Sequence, residues 1–126
     1  MKHGDISNHT APVVVFSLEN LVLRQTEKKK WGVNLPNVRY INELFWTKLD
    51  YTVVFSTFLP EKKLGRIEDL LDTHGVLFNR VTHFDTTSDL IMYLDTVDGS
   101  YFDSDELMVE LVGPSRAFIF SEWKES

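Results

Sequence analysis

A chain of 126 residues is the size of one domain with one core. At 43% hydrophobic residues it is too apolar to stay disordered, and with no Cys it can hold no disulfide, thiolate metal site or Cys nucleophile. The net charge of −6 is unevenly spread, with Lys/Arg in excess over residues 1–66 and Asp/Glu in large excess over 67–126.

Residues 1–10 are polar, lack the apolar centre of a signal peptide and read as a flexible tail, with 11–126 forming a single domain. No apolar stretch reaches the roughly 18 residues of a membrane span, so a cytoplasmic location and no membrane partner are expected. Pro12 to Ser17 is a continuous apolar run closed by Ser17-Leu18-Glu19-Asn20, the pattern of a strand buried on both faces. Over 20–36, Glu27-Lys28-Lys29-Lys30 separates Leu21-Val22-Leu23 from Trp31-Gly32-Val33, which predicts a hairpin or flap with a solvated turn. The Lys run beside Trp31 has the residue types of a phosphate-and-base contact. Four such residues in an acidic chain read better as a charged flap tip, and nucleic acid is not expected as a partner.

Pro36-Asn37 opens a helix whose apolar stripe is Val38, Ile41, Leu44, Phe45 and Leu49. Tyr51 to Phe55 is a second strand, ending at Ser56-Thr57. Pro60 starts a helix with Leu64, Ile67, Leu70 and Leu71 on one face, closed by His74-Gly75. Val81 to Phe84 reads as a third strand, and Thr86 to Asp89 offers caps for a helix through Leu94. Asp98-Gly99 signals a turn. Asp103 to Val112 reads as a short helix capped by Asp103 or Ser104, and Arg116 to Phe120 as a fourth strand ending at Ser121-Glu122. Alternating strands and helices predict a three-layer α/β sandwich with a mainly parallel, Rossmann-like, four-stranded sheet.

In such sheets ligands bind beyond the carboxyl ends of the strands. Those ends are Ser17-Leu18-Glu19, Ser56-Thr57 and Ser121-Glu122. The order of these segments resembles the haloacid dehalogenase (HAD) superfamily of phosphatases and phosphotransferases over roughly residues 12–123. Val13 to Asn20 sits where that family has an apolar strand followed by Asp-x-Asp-Gly-Thr. Tyr51 to Thr57 is similar to its strand ending in Ser or Thr, and Pro114 to Glu122 to its strand ending in paired Asp. The resemblance implies a nucleophilic carboxylate at position 17 and an acid/base carboxylate at 19. It further implies a phosphate-holding hydroxyl at 56 or 57, a Lys near the third strand, and a Mg²⁺-binding acid pair at 121 and 122.

The residues present depart from that set. Ser17 is not a carboxylate. Glu19 keeps the acid one methylene further out, a displacement of order 1 Å that can cost about 10²-fold in rate. Ser121-Glu122 keeps one acid of two, and no Lys occurs between Lys63 and Lys124. The residues over 20–35 leave room for a flap and no large cap.

The resemblance therefore implies a minimal, catalytically inactive HAD-like domain serving as a protein-interaction or regulatory module, with no cofactor expected. The alternatives are a divergent Mg²⁺-dependent phosphatase using Glu19, Ser56 and Glu122, and an acidic surface over 85–110 that binds a basic partner. A weak cation site on Glu19 and Glu122 is a separate candidate, set against two strand-tip acids in water. Two further arrangements carry less. A triad of Ser17, Ser56 or Ser121 with His74 or His83 lacks any local signature. Asp95, Asp98, Asp103 and Asp105 fail the spacing of an EF-hand loop and read as a solvated acidic turn.

Overall fold

The computed structural model describes residues 12–25, 28 and 30–120. Strand β1 (Val13–Ser17) runs between β4 (Thr52–Thr57) and β6 (Ser100–Asp103). Outside these lie β5 (Arg80–His83), next to β4, and β7 (Ala117–Ile119), next to β6. All four pairings are parallel, so the order is β5-β4-β1-β6-β7 with the first strand at the centre. Its central place explains the unbroken Val13 to Phe16 run, since a parallel strand covered on both faces has no polar side to show.

The sheet has five strands where four are expected. The additional one, β6, is only four residues long and lies between the Asp98-Gly99 turn and a helix start, so no long apolar run announces it. Asp103 consequently ends a strand and does not cap the next helix. Asp105 takes that role, its carboxylate accepting from the Leu107 N–H at 3.0 Å.

Helices cover the two faces. On one side lie α1 (Leu35–Tyr40), which runs on as a wider π-type segment over Ile41–Lys48, and α2 (Leu64–Thr73). The Asn34 side chain caps α1 by accepting from the Asn37 N–H. This face is aromatic: the Phe16 ring meets Phe45 at 5.1 Å, Phe102 at 5.3 Å and Phe120 at 6.2 Å between centroids. Val38, Ile41 and Phe45 of the predicted stripe are buried here, whereas Leu49, past the helix end, is 45% exposed. The opposite face is thinner. There α3 (Thr87–Val97) and α4 (Glu106–Val112) pack Leu90, Leu94 and Val109 against Val15, Val54 and Tyr101.

Two features follow β1 directly. A single π-type turn, Leu18–Val22, buries Leu18, Leu21 and Val22. The antiparallel hairpin of β2 (Leu23–Gln25) and β3 (Trp31–Val33) then stands as the flap. No other secondary structure separates β1 from α1 among the described residues. No helix among them is long and apolar enough to cross a membrane.

Candidate functional site at the strand tips

Alternation decides which tip residues meet. Val15 and Ser17 on β1, Val54 and Ser56 on β4, and Tyr101 and Asp103 on β6 all face the α3–α4 side. Ser17 and Ser56 are register partners, so their hydroxyls are brought side by side, as the strand-end pattern predicts. Thr57 points the other way, and its hydroxyl accepts from the Leu59 N–H at 3.0 Å. Of the two candidates on the second strand, only Ser56 therefore reaches the site.

The group that organises this cluster is Asp103, which is 1% exposed. One carboxylate oxygen accepts from the Tyr101 hydroxyl at 2.5 Å. The other accepts from the Asn20 side-chain amide at 2.8 Å and the Asp105 N–H at 3.1 Å. Three donors compensate its removal from water, which an isolated buried carboxylate would not survive. The expectation that Asp103 belongs to a solvated acidic turn is thus wrong, because β6 carries it into the interior. Asp95 and Asp98 do stay at the surface, where Arg116 reaches them at 3.6 and 3.3 Å while its Nη1 also bonds the Leu94 and Gly99 carbonyls.

Tyr101 fills the space between the tips. Its ring is buried, its hydroxyl donates to Asp103, and the Ser17 and Ser56 hydroxyls are near enough to influence its ionisation. Burial pushes the phenol far above its ordinary value, the Asp103 carboxylate adds to the rise, and the two serine hydroxyls pull slightly the other way. The group is a neutral donor at any ordinary pH. Among the described residues, the groups around the phenol are Asp103, Ser17 and Ser56, none of them a Lys, Arg or His.

Glu19 sits apart, on the π-type turn. Its Oε2 accepts from the Phe58 N–H at 3.1 Å, and its Oε1 is buried with no partner among the described residues. Ser121 and Glu122 lie outside the described residues. His74 binds the Leu70 carbonyl within its own helix, far in sequence from the tips. His83 ends β5 with Nδ1 at 2.6 Å from the Leu59 carbonyl and Nε2 at 2.9 Å from Asp85. The Asp85 hydrogen bond, with help from the Leu59 carbonyl and nearby carboxylates, raises its pKa against a smaller burial effect.

Sequence reasoning finds Ser17 and Ser56 but misses Tyr101, Asp103 and Asn20. The missing signal is the same one that marks the other tips: Ser100-Tyr101-Phe102-Asp103 is an apolar pair closed by a polar residue, only shorter. No protein-family model, curated protein or solved structure matches the chain.

Proposed function

We propose that this chain is a HAD-like domain that no longer transfers phosphoryl groups and serves as a protein-interaction module. The observation that carries the first half is the Tyr101–Asp103 pair. It occupies the space beside Ser17 and Ser56 where the resemblance would seat a phosphoryl group. The strand order with β1 central and the flap directly after it agree with that family reading. The described residues do not suit Mg²⁺, which needs several oxygen ligands held open to it. Both oxygens of Asp103 already accept from protein donors, and Glu19 offers only Oε1.

A phosphatase assay on p-nitrophenyl phosphate and acetyl phosphate, with and without Mg²⁺, tests this half. The expected result is no turnover above buffer. Metal-dependent turnover abolished by Glu19→Gln would replace it with the divergent-phosphatase reading.

The interaction half rests on the edge of the sheet. β7 is its last strand, and Phe118 and Ile119, on opposite faces, are each about half exposed. Leu107 and Leu111 project from α4, and a hollow of about 470 Å³ runs between α4 and β7 past Glu106 and Glu110. Large exposed apolar groups clustered at a sheet edge mark a docking surface. Residues 81–115 hold eight Asp/Glu and no Lys or Arg, so the charge complement is a basic segment with apolar side chains. A second copy would bring Glu106 and Glu110 against their own kind. A synthetic peptide of alternating Lys and Val should bind, more weakly as salt rises, and lose affinity to the Ile119→Glu variant. Equal binding of a Glu-Val peptide, or dimerisation through this edge, would count against the basic partner.

A further inference from the structure

We propose a nucleotide site at the rim of the same end of the sheet, between the flap and the start of α2. Trp31 would take the base, and Lys62, Lys63 and Arg66 the phosphates. The site is separate from the filled pocket and does not depend on how that pocket is read.

Three observations converge there. The first is unpaired charge. Lys62 and Lys63 belong to the 3₁₀ turn Glu61–Lys63, and Arg66 to the first turn of α2. Lys62 and Arg66 are four apart and Lys63 and Arg66 three apart, the spacings at which helical side chains are neighbours. Like charges so placed repel. Among the described residues none of the three forms an ion pair that would offset this. An anion would.

The second is shape. Lys62, Lys63 and Arg66 line a hollow of about 290 Å³. Lys63 and Arg66 also line another of about 190 Å³, whose remaining walls are Trp31 and Ile67. The two hollows share two cations, so one ligand can span them with a polar end and a flat apolar end. Trp31 is 36% exposed, which leaves ring surface for stacking.

The third is position. The 3₁₀ turn begins four residues after β4 ends, so the cluster stands beyond the carboxyl end of that strand, where parallel sheets bind ligands. A purely structural basic patch would explain the charge, but not the aromatic wall that closes one end of it.

The test uses the full chain and ADP, with adenosine and inorganic phosphate as separate arms. Binding is read by calorimetry and by the indole N–H resonance of Trp31, assigned with Trp31→Phe. ADP should shift that resonance and bind at least about tenfold more tightly than either fragment, because each supplies only half of the contacts. Lys63→Gln with Arg66→Gln should weaken ADP by about tenfold or more, since charge-assisted bonds to phosphate are lost. Trp31→Ala should weaken ADP while sparing phosphate. Lys48→Gln, an exposed cation elsewhere, should change nothing. Three results would overturn the proposal: no movement of the Trp31 signal at millimolar ADP, equal affinity for phosphate and ADP, or undiminished binding by the double variant. A short single-stranded oligonucleotide that binds far more tightly than ADP would also overturn it, by making the ligand a polymer.

Discussion

Two polar clusters stand at the same end of one sheet and have opposite characters. At the strand tips, Asp103, Tyr101, Ser17 and Ser56 are buried, and the Asp103 carboxylate is matched by the Tyr101, Asn20 and Asp105 donors around it. At the rim, Lys62, Lys63 and Arg66 share one sign and face open hollows. The difference teaches what burial demands. A polar group removed from water costs free energy unless it finds a partner inside the protein, as Asp103 does, and once it has, little is left to offer a ligand. A group left at the surface can stay unmatched, because water screens it until something better arrives.

The sharpest way to break that comparison is to remove the hub of the closed cluster. Asp103→Ala leaves the Tyr101 hydroxyl, the Asn20 amide and the Asp105 N–H without their acceptor. The expected loss is about 3 kcal/mol of unfolding free energy, read by urea denaturation. A loss below about 1 kcal/mol would mean that water reaches the site readily, and the contrast with the rim would collapse.

Tyr101→Phe probes the same cluster more gently. The ring still fills the space, but Asp103 loses one donor, so the expected cost is about 1.5 kcal/mol by the same measurement. The phenol also gives a pH signature. Its pKa is raised on folding, so its contribution is complete below about 10 and is lost as pH climbs towards the folded value. In alkali Tyr101 should therefore ionise only as the structure is lost, after Tyr93, whose pKa burial also raises, and both steps are seen by phenolate absorbance. In Tyr101→Phe that late component should vanish.

His83, at the end of the edge strand β5, offers a smaller effect. Both ring nitrogens face acceptors, the Leu59 carbonyl and Asp85, and only the imidazolium can donate to both. Its folded pKa is raised, so this contribution is full below about 6.5 and fades as pH rises through the folded value. A His83→Gln variant should lose that part of the pH dependence of the melting temperature. A wild-type profile that instead rises over this window would contradict the assignment.

How much of this was legible in the sequence differs between the two clusters for a physical reason. β1 and β4 announce themselves, because a strand buried on both faces must be apolar at every position, and Val13 to Phe16 and Val53 to Phe55 are. Their tips, Ser17 and Ser56, follow at once. β6 is partnered on one side by the short β7 and carries two polar hydroxyls and a carboxylate in four residues, so its composition resembles a turn. The burial of Asp103 depends on Asn20, which is 83 positions away, and no local pattern encodes such a pairing. The π-type turns at Leu18–Val22 and Ile41–Lys48 are hidden for a related reason, since apolar residues three and four apart fit an ordinary helical turn as well as a wider one. The rim lies in plain view as Lys62, Lys63 and Arg66, but the hairpin that brings Trp31 beside them is a tertiary contact.

The smallest expected effect is at that rim, and its sign is what matters. Lys63→Gln removes one of three neighbouring like charges and no hydrogen bond to a described side chain. Relief of repulsion is worth about 0.2–0.5 kcal/mol, so stability should hold or rise by that amount, most visibly at low salt. The same substitution made at a charge that the fold uses would lower stability. Arg116→Gln is that control, because Arg116 binds the Leu94 and Gly99 carbonyls as well as Asp98, and it should lose about 1–3 kcal/mol. If Lys63→Gln destabilised the protein as Arg116→Gln does, the rim cations would be structural, and the open half of the comparison would close.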